Sequence, residues 1–293
     1  MHSIDRSVPE LNAGQQRTVS RTAGRINIVV ALGCEARPLV RHFRLGHKQS
    51  TAGLRIYTGK NGITLLVSGV GKQATACACG YLAGQQGRED GNPAAWLNIG
   101  IAGHGNRRPG EGVLVQKITD QSTGQVSYPS MVFNPGCQTS NLVTVDSPET
   151  EYRDACAYDM EGSAFFRAAT RFITPELVQA YKIVSDNPDS PVGDVTAQGI
   201  AALIEARLAE ISLLVESLLA ASSNYNEIYT LPDEFRDLEK RTRLTVSQRT
   251  QLETAYRRYR ALGGTDILSA VEKHSIQNGV DLLSAIDRFT PSQ

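Results

Sequence analysis

Ile26-Asn27-Ile28-Val29-Val30-Ala31-Leu32 is a short, β-branched apolar run that stops at Gly33, with Cys34 and Glu35 directly behind it. A run of that length without polar alternation suits a strand buried on both faces, as in a sheet covered by helices. The chain changes character there. Residues 1–24 hold Ser, Thr, Gln, Arg and Gly with few large apolar side chains, and read as a loose tail. Downstream, 54–58 and 63–67 read as two strands around Lys60-Asn61-Gly62, where Asn-Gly supplies the positive φ values of a hairpin. A Gly-rich turn, Ser68-Gly69-Val70-Gly71-Lys72, leads into a small-residue helix over 73–85. Strands are expected at 95–99, 113–118, 142–145 and 178–184, and helices at 159–172 and 196–221. Strands alternating with helices predict a three-layer α/β/α sandwich around a mixed sheet.

Past Ala221 the strand signal ends. Ser222-Ser223-Asn224 reads as a linker, and the remainder reads as helical. Pro232 with Asp233 and Glu234 suits a first helical turn, and Thr245 with Gln248 has capping-box spacing. Leu252, Tyr256 and Tyr259 then share one helix face, stopped by Gly263-Gly264, and another helix from Asp266 breaks near Asn278-Gly279. The expected organisation is a tail over 1–25, an α/β domain over 26–221 and a helical extension over 222–293.

Of 293 residues, 41% are hydrophobic and 20% charged, enough apolar matter for a core, which excludes a chain disordered throughout. Lys plus Arg is 30 and Asp plus Glu is 30, so the overall basic excess that releases counterions from nucleic acid is missing. The five cysteines are an odd number without a C-x-x-C pair, which suits free thiols in a reducing compartment better than a zinc site. The N-terminal residues lack a signal-peptide apolar core, and 200–221 is interrupted by Glu205, Arg207, Glu210 and Glu216. A cytoplasmic protein with no membrane association is expected.

Functional groups in α/β folds gather at the carboxyl ends of strands. Glu35, Ser68-Gly69-Val70-Gly71, Gly100–Gly103 and Ser185-Asp186 all follow expected strands, and Asp159-Met160-Glu161 adds two carboxylates. Taken singly, each residue has a plain alternative. Glu35 suits a solvated loop acid, Glu161 a buried salt bridge, Asp186 a cap on the Asn187-Pro188 turn, and His104 a loop histidine. Neither Gly-rich turn is a Walker A motif or a full G-x-G-x-x-G.

Their order is more specific. Ile28 to Glu35, Ser68-Gly69-Val70-Gly71-Lys72, Asn98 to Gly103, Tyr158-Asp159-Met160-Glu161-Gly162-Ser163-Ala164 and Lys182-Ile183-Val184-Ser185-Asp186 together resemble the purine and uridine phosphorylase superfamily. Within it they are most similar to the methylthioadenosine/S-adenosylhomocysteine nucleosidases, over about residues 26–221. The resemblance implies cleavage of an N-glycosidic bond in a purine nucleoside or 5′-modified adenosine. It assigns water activation to Glu35 and protonation of the leaving base to Asp186, beside Ser185. It places Met160 and Glu161 on the ribose, and Ser68 and Gly69 in the turn lining the sugar and nucleophile site. Lys182 stands where the nucleosidases often carry Arg. No metal or redox cofactor is implied, and the family suggests a homo-oligomer, a dimer in the first instance.

The departures are local. The stretch between 118 and 142 is shorter than in the family and lacks a helix that the family has there. Asp146-Ser147-Pro148 stands where the family has an aromatic residue stacking on the base, with Tyr128 or Phe133 as candidate substitutes. Glu35-Ala36-Arg37 also resembles the branch acting on adenosylhopane. The leading expectation is a nucleosidase. Its rivals are a phosphate-dependent phosphorylase and a nucleoside-binding regulatory protein whose residues 223–293 recruit a protein partner.

Overall fold

The structure, a computed structural model, describes residues 24–290 apart from 49, 51, 90–92, 133–135, 230 and 273. Most of the expected tail, through residue 23, lies outside the described residues, as does Phe133. The chain divides into two compact units between Glu227 and Ile228.

The first unit is built on a ten-stranded mixed sheet. β1 (Ile26–Val30) runs parallel to β4 (Ile63–Val67) on one side and β5 (Ala95–His104) on the other, and β10 (Val178–Asp186) runs parallel to β5. Every residue of β1, β4 and β10 is buried, as expected for mainly apolar strands covered on both faces, and the buried set includes the polar Asn27, Thr64, Gln179 and Lys182. β3 (Arg55–Thr58) is antiparallel to β4 across the expected hairpin, and β2 (Gly46–Lys48) extends that edge. Gly62 in the turn has φ +79°, and a Cβ there would lie 2.4 Å from the Gly24 carbonyl oxygen, so the position admits only glycine.

On the far side lie β6 (Gly112–Asp120), β7 (Val126–Ser127), β8 (Gln138–Thr144) and β9 (Ala157–Asp159). At the end of β5, Gly103 and His104 pair antiparallel with β9, while Gly103 also stays paired with Asp186 of β10. β10 pairs with both β5 and β6, so β5, β10, β6, β8 and β9 close on themselves. Helices α1 (Gly33–His42) and α4 (Ala197–Ala206) pack together, as do α2 (Lys72–Glu89) and α3 (Gly162–Ala169). The result is the expected α/β/α sandwich around a mixed sheet.

Three details differ from the sequence reading. The helix expected over 159–172 is α3 alone, because Asp159 ends β9 and its carboxylate accepts the Gly162 N–H at 2.8 Å. The single helix expected over 196–221 is two, α4 and α5 (Leu208–Tyr229). The break is at Arg207, whose Nε donates to the Gly110 carbonyl at 2.7 Å. The linker read at Ser222-Ser223-Asn224 is helix. Ser222 is fully buried, its Oγ accepts the Arg25 N–H at 3.2 Å, and Asn226 Nδ2 donates to the Pro93 carbonyl at 3.3 Å. What reads as a polar linker is a buried polar seam.

The second unit comprises α6 (Asp233–Glu239), α7 (Val246–Ala261), α8 (Ile267–Glu272) and α9 (Gly279–Phe289). Its own core includes Phe235, Leu238, Leu252, Tyr256, Tyr259, Ile267, Leu282 and Ile286. The capping box is present: Thr245 Oγ1 accepts from Gln248 N at 3.2 Å, and Gln248 Oε1 accepts from Thr245 N at 3.0 Å. Asn278 caps α9, accepting from the N–H groups of Val280 and Asp281.

Candidate active site

A cleft of about 670 Å³, measured to its open mouth, lies at the carboxyl ends of the parallel strands. That is the place of a small-molecule site in such a sheet. Its walls bring together Glu35 from the start of α1, Met160 and Glu161 between β9 and α3, and Ser185 and Asp186 at the end of β10. Five of the eight residues expected at the site therefore share one cavity, although they lie up to 151 positions apart in the sequence.

Glu35 is not the solvated loop acid that its sequence alone allows. It is buried, and its carboxylate accepts three backbone N–H groups: Ala31 at 2.9 Å and Leu32 at 2.8 Å on Oε2, and Ile101 at 3.0 Å on Oε1. Burial pushes its pKa up, against the opposing pull of those donors and of Lys182. Glu161 is buried too, and burial, then the charge of Asp159, raises its pKa to about 7. Gly71, at φ +96°, turns its N–H onto Glu161 Oε1 at 2.7 Å, so the Gly-rich turn serves the site through its backbone.

Lys182 lies behind this wall. Its Nζ is 2.8 Å from Asp159 Oδ2, and both side chains are almost wholly buried. A Cβ placed on Gly100 would meet Glu35 Oε1 at 3.0 Å and Lys182 Nζ at 3.5 Å, so the missing side chain leaves room for acid and ammonium over β5. Burial opposes the charge on Lys182, but Asp159 and then Glu161 outweigh it, and its pKa is raised. Asp159 is completed by Thr144 Oγ1 at 2.8 Å and Gly162 N at 2.8 Å. The ammonium compensates several acids at once, which a buried acidic cluster requires.

Asp186 is held differently. Its Oδ1 accepts the Ser185 hydroxyl and its Oδ2 the Tyr152 hydroxyl, both through short hydrogen bonds. Gly103 makes this possible. A Cβ there would lie 2.6 Å from Asp186 Oδ2 and 2.7 Å from Tyr152 Cε1. Asp186 thus does more than cap the turn at Asn187-Pro188.

Ser68, Gly69 and Lys182 do not line the cleft. Ser68 Oγ donates to the Val30 carbonyl at 3.2 Å and the Gly69 carbonyl at 2.9 Å, tying the Gly-rich turn to β1. Arg37 is exposed on α1 and off the cleft. Tyr128 is exposed and also off it, so the candidate base-stacking aromatic within the described residues does not reach the site. Tyr158 is the aromatic on the cleft wall, and Pro148, Glu149 and Val192 complete its mouth. Of these, Tyr158 belongs to the Tyr158-to-Ala164 motif and Pro148 to the Asp146-Ser147-Pro148 departure, whereas Glu149 and Val192 carry no local signal. Tyr152 has no local signal, because nothing in Glu149-Thr150-Glu151-Tyr152 points to a carboxylate 34 residues away. His104 is a buried strand residue bonded to Ser140 Oγ at 3.1 Å, and burial lowers its pKa to about 4. Among the described residues, no group of His, Cys, Asp and Glu could hold a metal ion, and no helix is long and apolar enough to cross a membrane.

No protein-family profile matches the sequence, and no curated protein matches it. Solved structures do match in three dimensions. The apo 5′-methylthioadenosine nucleosidase of Arabidopsis thaliana superposes with a TM-score of 0.56 at 19% identity, over 68% of this chain and 97% of that one. This chain therefore shares the fold of that nucleosidase. The Helicobacter pylori 5′-methylthioadenosine/S-adenosylhomocysteine nucleosidase bound to butyl-thio-DADMe-Immucillin-A gives 0.55 at 12% identity, over 67% and 99%. The futalosine hydrolase of the same organism gives 0.54 at 12% identity, over 67% and 98%. The nucleosidase fold spans those proteins almost end to end, while about a third of this chain has no counterpart in them.

Proposed function

We propose that this chain is a nucleosidase that hydrolyses the N-glycosidic bond of a purine nucleoside or a 5′-modified adenosine. The observation that carries the reading is the convergence of Glu35, Glu161 and Asp186 from separate strand ends on one cleft. Cleavage builds positive charge on the ribose and negative charge on the departing base, so it calls for a base, an acid and an anionic support. In this reading Glu35 accepts a proton from the attacking water. Its three N–H donors fix the carboxylate, and burial makes it more basic than an exposed glutamate. Glu161 accepts from the ribose hydroxyls beside Met160, and Asp186 donates to a base nitrogen. The futalosine hydrolase and methylthioadenosine nucleosidases that share the fold support a nucleoside substrate.

Phosphorolysis has one observation in its favour. The Arg55 guanidinium lies over Gly33, where a Cβ would meet its Nη1 at 2.6 Å, two residues from Glu35. Against it, the carboxylate at the nucleophile position repels phosphate and suits water. Incubation with a panel of purine, pyrimidine and 5′-modified nucleosides, with released base read by chromatography, tests the proposal. Release of a purine is expected. A panel bound and left intact would favour a nucleoside-sensing role.

A further inference from the structure

We infer that Tyr152 is a positioning residue for Asp186, aiming its carboxyl at the leaving base and stabilising the carboxylate left when the proton departs. The inference rests on the nucleosidase reading, to which it adds a residue. Tyr152 is buried in the segment between β8 and β9 and takes a left-handed backbone, φ +47°. That conformation is uncommon for a bulky residue and persists only where the surroundings hold it. They do so from several directions. Glu149 Oε1 accepts the N–H groups of Thr150, Glu151 and Tyr152, which winds the segment up to the ring. The Tyr158 ring meets it edge-on, with centroids 6.2 Å apart. Gly105 lies so close beneath the segment that a Cβ there would be 2.0 Å from the Asp154 carbonyl oxygen.

The hydroxyl delivered this way donates to Asp186 Oδ2 over Gly103. Burial, and then Asp186 itself, push the Tyr152 pKa up, so the group keeps its proton and stays a donor. In the chemical step the Asp186 O–H bond breaks and an N–H bond forms on the base. The C–N glycosidic pair passes to the base, and the attacking water loses a proton to Glu35 as it bonds the sugar carbon. Asp186 goes from neutral acid to carboxylate during that step. A hydroxyl donating to it therefore strengthens on the way to the transition state, which is the condition for a catalytic effect.

The test compares two ribosides: the purine nucleoside cleaved by the wild type, and 4-nitrophenyl riboside, whose leaving group departs unprotonated. Tyr152→Phe should lower kcat for the purine nucleoside by about 10- to 100-fold with KM little changed, the scale of one hydrogen bond to a charged group. Cleavage of the nitrophenyl riboside should fall by less than about 3-fold, since it needs no acid. In an Asp186→Asn background, Tyr152→Phe should add no further loss, because it acts through that carboxyl. Equal losses on both substrates, no loss on the purine nucleoside, or an undiminished effect in the Asp186→Asn background would each overturn the role of Tyr152 alone. A wild type that cleaves neither riboside would overturn the nucleosidase reading, and this inference with it.

Discussion

Glu161→Gln changes one buried charge and almost no volume, and its effect on stability should depend strongly on pH. Glu161 titrates near 4.5 when unfolded and near 7 when folded, because burial and Asp159 disfavour its charge. Between those values the native state binds the extra proton, so stability falls as pH rises from about 4.5 to 7. The penalty is absent below the unfolded value and complete above the folded one, and at neutral pH it amounts to about 3 kcal/mol. Gln keeps an acceptor for the Gly71 N–H, now 2.7 Å from the carboxylate, and removes the charge. The variant should therefore be more stable than wild type at pH 8 by about 2–3 kcal/mol, with the difference vanishing near pH 4.5. Trp96 is the chain's single tryptophan and is buried in β5. Its fluorescence in urea titrations across this pH range reports the first unit directly. Identical pH slopes for the two proteins would refute the reasoning. So would a variant less stable at pH 8.

Other substitutions separate chemistry from support. Glu35→Gln should abolish base release, by about 10²-fold or more, while nucleoside still binds in calorimetry; it should also cost about 1–3 kcal/mol in urea melts, because an amide cannot accept all three N–H groups at 2.8–3.0 Å. Asp186→Asn should depress kcat by about 10²-fold or more with little change in ligand affinity, measured side by side on the same nucleoside. Gly103→Ala puts a methyl 2.6 Å from Asp186 Oδ2 and should cost about 1–3 kcal/mol and most of the turnover, read by melting and by rate. A chain ending at Glu227 should express soluble and active, whereas one ending at Ser222 loses buried Asn226 and should melt lower in a thermal scan.

Much of this arrangement is legible in the sequence because it is local. The mainly apolar runs at β1, β4 and β10 announce buried strands; Ser185 and Asp186 close β10, and Glu35 comes shortly after β1, at the start of α1. Thr245 and Gln248 announce the start of α7 for the same reason, since the two capping groups are three residues apart. What stays hidden is decided at long range. β2 and β9 have three residues each, too few to show a period. The break at Arg207 depends on the Gly110 carbonyl 97 positions away, and burial of Ser222 depends on Arg25 and Pro93. Tyr152 reaches Asp186 only because Gly103, on a third element, leaves room for both.

The central claim is hydrolysis by a Glu35-activated water, and product analysis in phosphate-free buffer tests it most directly. With a purine nucleoside or 5′-modified adenosine, wild type should release free base and free sugar in equal amounts, added phosphate should change the rate little, and Glu35→Gln should release neither. Strict dependence on phosphate, with a sugar 1-phosphate as product, or full activity in Glu35→Gln, would contradict it.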